Sequence, residues 1–200
     1  MGPGLRPTAP VERSHFVDRS AHVLGLLEAR GASVSVAADT LPFPDGHLAA
    51  TVAFEVFEHV QDDDALFREV ARAVRTGGIL LMSVPIRASM WVALDDVCGH
   101  LRRYEPEDLF AKVKSFGFEV RGYDWTPAGS PLLGTLQARV LAAGRPIATT
   151  IVQNLIFPFQ AAWDSRFGRV KWTPPDQPVP SAAEHVVLWL ERTGPAPEDR

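Results

Sequence analysis

Two carboxylates and an imidazole stand together in the run FEVFEHV, where Glu55, Glu58 and His59 are spaced ExxEH, and a second imidazole, His100, follows in GHLRRY. These types suit two kinds of chemistry. An imidazole, with an ordinary pKa near 6.5, takes a proton from an acceptor hydroxyl or amine at neutral pH, so His100 is the candidate general base and His59 a second catalytic candidate. Carboxylates and imidazoles converging on one side also suit a divalent cation, with His100 as fourth ligand beside Glu55, Glu58 and His59; at this level the metal question stays open. Structural roles fit the same letters. Glu58 and His59 suit a cap, and His100, Arg102 and Arg103 suit loop residues that cap carbonyls or pair with Asp95, Asp96 or Glu105.

Such residues need a scaffold. Short β-like runs alternate with amphipathic windows along the chain, the pattern of an α/β domain with a parallel sheet. A short strand at residues 14–17 precedes a helix capped by Ser20, which runs through Val23, Leu24 and Leu27 to Arg30 and stops at Gly31. Residues 33–37 (SVSVA) form the next strand, LPFPDG (41–46) a loop, and residues 51–54 a strand that delivers Glu55 at its C-terminal end, where open α/β sheets hold their ligands. The best-defined helix begins after Gln61. Asp62, Asp63 and Asp64 place negative charge at its positive end, Leu66, Val70 and Val74 form its apolar stripe, and Gly77-Gly78 terminate it. The run ILLMSV (79–84) reads as a strand buried on both faces. Pro106 opens a helix with Leu109, Phe110 and Val113 inward, Gly117 closes it, and residues 118–123 are another strand. Residues 131–163 read as two helical stretches broken near Gly144-Arg145-Pro146, residues 173–180 as a Pro-rich loop, and residues 185–190 (HVVLWL) as the last strand. Trp91, Trp125, Trp163 and Trp172 read mainly as packing.

The composition narrows the field. In 200 residues, 20 Lys+Arg against 24 Asp+Glu give a net charge of −4, with 46% hydrophobic residues and a single cysteine. That balance, with no basic run, excludes the electrostatic footprint of a nucleic-acid binder. The longest apolar stretches, near 79–84 and 155–163, fall short of the roughly 20 residues of a membrane span, and residues 1–10 lack the pattern of a signal peptide. One cysteine permits no internal disulfide, and a cytoplasmic setting is the expectation. The expected organisation is a flexible leader (1–14), a single domain (15–192) with a helical insertion and loop at 131–180, and a flexible tail (193–200).

Taken in order, VDRSAHVLGLLEARG, LPFPDG, FEVFEHV, ALFREVARAVRTGGILLMSVP and GHLRRYEPEDLFAKVKSFGFEV resemble the class I S-adenosylmethionine-dependent methyltransferases, particularly the type 11 group, over about residues 16–123. The resemblance implies a Rossmann-like methyltransferase fold, mostly parallel with helices on both faces, S-adenosyl-L-methionine as cofactor and a small-molecule acceptor. Asp18 matches the acid that accepts the ribose hydroxyls, a task a carboxylate can perform for two donors at once; it also suits an N-cap. Leu41 and Phe43 match the apolar loop beside adenine, Asp39 is the acid nearest the position that binds the adenine amino group, and Glu55 faces the methyl-transfer site. The strand at 185–190 fits the family's closing antiparallel strand.

One departure matters. The family's glycine-rich loop, D/E-x-G-x-G-x-G, lets backbone approach the cofactor where any Cβ would clash, and this sequence has no counterpart. The resemblance therefore predicts a domain whose first strand and helix are missing, with Ala37 where relatives carry the adenine-binding Asp. A second function class follows: a truncated or degenerate methyltransferase-like domain without activity, acting as a fragment or interaction module. An uncovered sheet edge would favour a homo-oligomer. A dinucleotide-dependent oxidoreductase is the weakest reading, because it too needs a glycine-rich turn.

Overall fold

The computed structural model describes residues 10–37, 40–127, 139, 143 and 171–194. Strand β1 (His15–Asp18) and strand β2 (Ser33–Val36) pair in parallel, joined by helix α1 (Ala21–Glu28). The Ser20 hydroxyl caps α1 by accepting from the Val23 N–H, and Gly31 turns the chain after it with φ 85°, a conformation that favours glycine. Leu24 and Leu27 close over Phe16 and Ala32 in a small core of their own.

The larger sheet holds β3 (Leu48–Phe54), β4 (Val74–Pro85), β5 (Phe118–Pro127) and β6 (Ala183–Arg192) in the order β3-β4-β6-β5. β3 and β4 are parallel, and β6 runs antiparallel to both β4 and β5. Helix α2 (Asp63–Ala73) connects β3 to β4, while α3 (Ala93–Cys98) and α4 (Pro106–Ser115) lie between β4 and β5. The main core forms where α2 and α4 meet this sheet. Phe57 stacks on Phe67 at 4.2 Å between centroids, and Phe67 on Phe116 at 5.3 Å. Leu80, Met82 and Val84 of β4 are fully buried, whereas Ile79 and Leu81 are only half-buried, so one face of β4 is sealed more completely than the other.

No ladder joins β1 to β3 among the described residues, so the strands form a two-stranded and a four-stranded sheet. Two local expectations are corrected. α2 ends at Ala73 rather than at Gly77-Gly78, because Val74 already pairs with Leu48 and the ladder then shifts register before Ala50 meets Ile79. Gly78 is needed in that irregular stretch: a Cβ there would lie 2.8 Å from the Arg75 carbonyl oxygen. Helix α3 was not expected at all. Among the tryptophans, Trp125 packs on the main core, Trp172 lies against Trp189 at 5.6 Å, and the Trp91 indole N–H donates to Asp96. Of the expected helices at 131–163 only residues 139 and 143 are described, with the Ala143 N–H donating to the Arg139 carbonyl at 3.0 Å; Trp163 lies outside the described residues.

Asp63, the first residue of α2, ties that helix to the site loop and to α4. It accepts from the Tyr104 hydroxyl at 2.8 Å and Lys112 Nζ at 2.7 Å, and it pairs with Arg102. Burial pushes its pKa up, but the bonds from Lys112 and Tyr104 outweigh that and hold it below the ordinary value of 3.8. A carboxyl depressed in the fold stabilises above its unfolded pKa, and that stabilisation disappears as pH falls through the folded value. Asp63→Asn should therefore cost about 1–3 kcal/mol at neutral pH, with the gap to the unaltered chain closing as pH falls below 3.8. Denaturant unfolding at a series of pH values measures it; a gap independent of pH would contradict the account.

Candidate active site

The site begins at the end of β3. Glu55 leaves the strand with φ 52°, rare for a residue with a side chain, and such strain persists only where the surroundings fix it. Here β4 and β6 do so. The Glu55 N–H donates to the Ser83 carbonyl at 3.0 Å, the Ser83 hydroxyl donates to Glu55 Oε1 at 2.6 Å, and His185 Nε2 lies 3.5 Å from Oε2. The chain then makes a 3-10 turn, Phe57–His59, whose first residue is driven into the main core. That anchor fixes Glu58 and His59. Glu58 is 0% exposed, yet neither of its carboxylate oxygens has a hydrogen-bond partner among the described residues, and His59 Nε2 has none either.

The second half of the site comes from the loop after α3. Gly99, with φ 76°, ends that helix and turns the chain so that the Leu101 N–H donates to the Glu58 carbonyl at 2.8 Å. This stitches the loop to the 3-10 turn. His59 Nδ1 meets the Gly99 carbonyl at 3.0 Å, and His100 Nδ1 meets Asp95 Oδ1 at 2.7 Å. A carbonyl and a carboxylate can only accept, so both Nδ1 atoms carry the proton, and each ring in its neutral form leaves a lone pair on Nε2. The two Nε2 atoms approach Glu58 Oε1, at 3.4 Å for His59 and 4.0 Å for His100, and the rings pack edge to face with centroids 4.8 Å apart.

Asp95 is the residue that builds this half. It is 1% exposed and receives Arg103 through a two-pronged contact, Nε to Oδ1 and Nη2 to Oδ2, both at 2.9 Å. The Val92 N–H adds a bond at 2.8 Å. Burial pushes the Asp95 pKa up, but Arg103 and the Val92 N–H outweigh it, so the carboxylate stays ionised and available to His100. Glu58 goes the other way. Burial, then the negative charge of Glu55, push its pKa up to about 8, so without a cation it carries a proton at neutral pH. Burial lowers the pKa of His59, with His100 adding to the effect and the Gly99 carbonyl opposing it, which keeps that imidazole neutral.

Of the residues matched to cofactor contacts, Asp18 lies at the C-terminal end of β1, and the loop of Leu41 and Phe43 follows β2. Asp18 ends β1; one of its oxygens accepts from the Ser20 N–H at 2.7 Å, while the other has no bond among the described residues. Leu41 packs against the main core, and Phe43 meets His15 edge-on at 5.1 Å. Their loop is clamped from α2. Arg72 donates to the carbonyls of Phe43 and Leu41 and to Asp45, and Glu69 accepts from the Leu41 N–H at 2.9 Å. Asp39 lies outside the described residues. A groove lined by Arg13, His15, Gly31 and Ser33 lies at the opposite, N-terminal ends of β1 and β2, on the side where Phe43 meets His15.

The structure thus brings together Glu58, His59 and His100, and it turns the Glu55 carboxylate toward Ser83 and His185 instead. Sequence reasoning offered Asp95 only as one of several partners for the loop, and it missed Ser83 and His185. The available signal was spacing: Asp95 precedes His100 by five residues and Arg103 by eight, so one short helix with its following loop brings all three together.

Comparison with known proteins bears on the whole arrangement. A family model described as a methyltransferase domain matches residues 5–82. A probable S-adenosylmethionine-dependent methyltransferase of Mycolicibacterium smegmatis is 33% identical over 82 residues, 40% of this chain and 32% of that protein. One from Mycobacterium tuberculosis is 32% identical over 80 residues, 39% of this chain and 29% of that protein. The chain thus spans about a third of the length of the curated relatives it matches. Among solved structures, a methyltransferase of Thermotoga maritima, described as a possible histamine N-methyltransferase, aligns with TM-score 0.63 at 15% identity, covering 96% of this chain and 80% of that one. The cyclase SpnF aligns with TM-score 0.59 at 21% identity, covering 96% and 73%. These likenesses show the fold, and the cyclase shows that the fold alone does not fix the reaction. Family match, curated relatives and fold point the same way: residues 5–82 match a methyltransferase domain, and the chain has the Rossmann-like fold of the solved methyltransferases with which it aligns.

Proposed function

We propose that the chain takes part in S-adenosylmethionine-dependent methyl transfer to a small-molecule acceptor, with the cluster at the ends of β3 and α3 as the acceptor side of the site. The observation that carries this reading is the pair of oriented imidazoles, His59 and His100, at the C-terminal end of β3, where open α/β sheets take their ligands. The ribose and adenine end of the cofactor fits the residues present. Asp18 has one carboxylate oxygen left for a ribose hydroxyl, and the loop that Arg72 holds rigid presents Leu41 and Phe43 as an apolar edge for adenine. Glu55 stands with its carboxylate at the end of β3, between the two groups of residues in sequence.

When bound, the cofactor supplies an electrophilic methyl group on a sulfonium. The chain's own work is to hold the acceptor in line with that group and to remove its proton where the nucleophile carries one. With no ion bound at the site, His100 Nε2 is the acceptor for that proton. Asp95, bonded to Nδ1, fixes the ring and stabilises the imidazolium that forms, and Arg103 keeps Asp95 in place. A small acceptor agrees with the net charge of −4 and the absence of a basic run; no described helix is long and apolar enough to cross a membrane.

Calorimetric titration with S-adenosylmethionine, in chelator, tests the reading. The unaltered chain should bind with a Kd below about 1 mM, and Asp18→Ala should weaken binding about tenfold or more, equivalent to roughly 1.4 kcal/mol, with circular dichroism unchanged. No binding at millimolar cofactor would overturn it.

A further inference from the structure

We infer that Glu58, His59 and His100 form a binding site for one first-row divalent transition-metal ion. Three observations carry this, and none depends on methyl transfer. The first is convergence: one carboxylate oxygen and two imidazole nitrogens, from a 3-10 turn and a loop forty residues further on, all lie within 4.8 Å of one another. The second is that the carboxylate is fully buried with both oxygens unpartnered among the described residues, a costly state that a cation would relieve. The third is orientation. Each histidine spends its Nδ1 proton on an oxygen, Gly99 O or Asp95 Oδ1, which leaves the Nε2 lone pair for a ligand. Metal-ligating histidines are ordinarily held in this way, with the far nitrogen donating to a carbonyl or carboxylate.

The spacing is right for such an ion. With bonds of about 2.1 Å, tetrahedral ligand atoms sit roughly 3.4 Å apart. The His59 Nε2 to Glu58 Oε1 separation is 3.4 Å, that of His100 is 4.0 Å, and all three ligand atoms lie within 4.8 Å of one another, so closing the triangle needs an inward movement of the His100 ring. Two imidazoles and one carboxylate select a borderline ion such as Mn2+, Fe2+, Co2+ or Zn2+ over Ca2+, which prefers six to eight oxygens. Three protein ligands also leave coordination positions open for water or for an oxygen of the acceptor. Glu55 stays outside the set, because its carboxylate bonds the Ser83 hydroxyl. The competing arrangement is a protonated Glu58 that shares its proton with Glu55 or His59 and needs no ion.

The probe is CoCl2 or MnCl2 alone, titrated into the full chain after chelator treatment, without S-adenosylmethionine, so failure here is separable from failure of the cofactor titration. The expected result is about one ion per chain with a Kd in the micromolar range or tighter, and affinity at least tenfold weaker in Glu58→Gln and in His100→Ala. His22→Ala, an exposed residue of α1, should bind as the unaltered chain does. Absence of saturable binding up to about 1 mM, or equal affinity in the Glu58 and His100 variants, would overturn the inference. If those variants fail to fold, the visible bands of bound Co2+ in the unaltered chain decide: intensified bands of a nitrogen-ligated, low-coordinate ion support the site, and the spectrum of the fully hydrated ion refutes it.

Discussion

A single buried carboxylate, Asp95, carries the geometry of the candidate site. It is 1% exposed and holds three groups at once: the Arg103 fork, the Val92 N–H and His100 Nδ1. A lone carboxylate so deeply buried would ordinarily take up a proton or find a partner. Arg103 supplies the partner; its Nη1 reaches the Ile86 carbonyl and its Nη2 also reaches Glu184, fastening the loop to the ends of β4 and β6. The position of His100 is therefore inherited from the sheet through two salt-bridged residues, and the loop that carries it has little freedom to move it.

The same logic, with the opposite sign, sets Glu58. Phe57 is packed into the core and pulls its neighbour below the surface, and no cationic side chain follows to meet the carboxylate. One buried acid is satisfied and the other is not. Asp95 is consumed by bonds, whereas Glu58 faces the Nε2 atoms of two imidazoles with neither of its oxygens hydrogen-bonded among the described residues. Perturbed groups of this kind gather where a protein binds or transforms something.

Much of this could be read from the amino acids, and the failures have physical causes. The α/β alternation and its parallel pairing follow from periodicity and glycine stops, and the antiparallel direction of the closing strand from the family resemblance. The boundary of α2 did not, because Val74 satisfies the helical stripe and the strand equally, and only its partner Leu48 across the sheet decides between them. Helix α3 spans six residues, too few for a periodic signal. ExxEH lies in the segment that supplies the cluster, but treating Glu55 as a companion of Glu58 assumed a regular backbone; with φ 52° the chain turns at Glu55 and gives its side chain to Ser83. Asp95 was visible only as one possible partner among three, since a partner 1% exposed looks in sequence like any loop acid.

The central claim is that both imidazoles present Nε2 lone pairs to Glu58 because their Nδ1 protons are spent elsewhere. Long-range proton–nitrogen NMR of the histidine side chains, recorded near neutral pH in chelator and assigned with His59 and His100 variants, reads the tautomers directly. The account predicts both rings neutral and protonated on Nδ1. Either ring protonated on Nε2, or averaging between the two nitrogens, would contradict it.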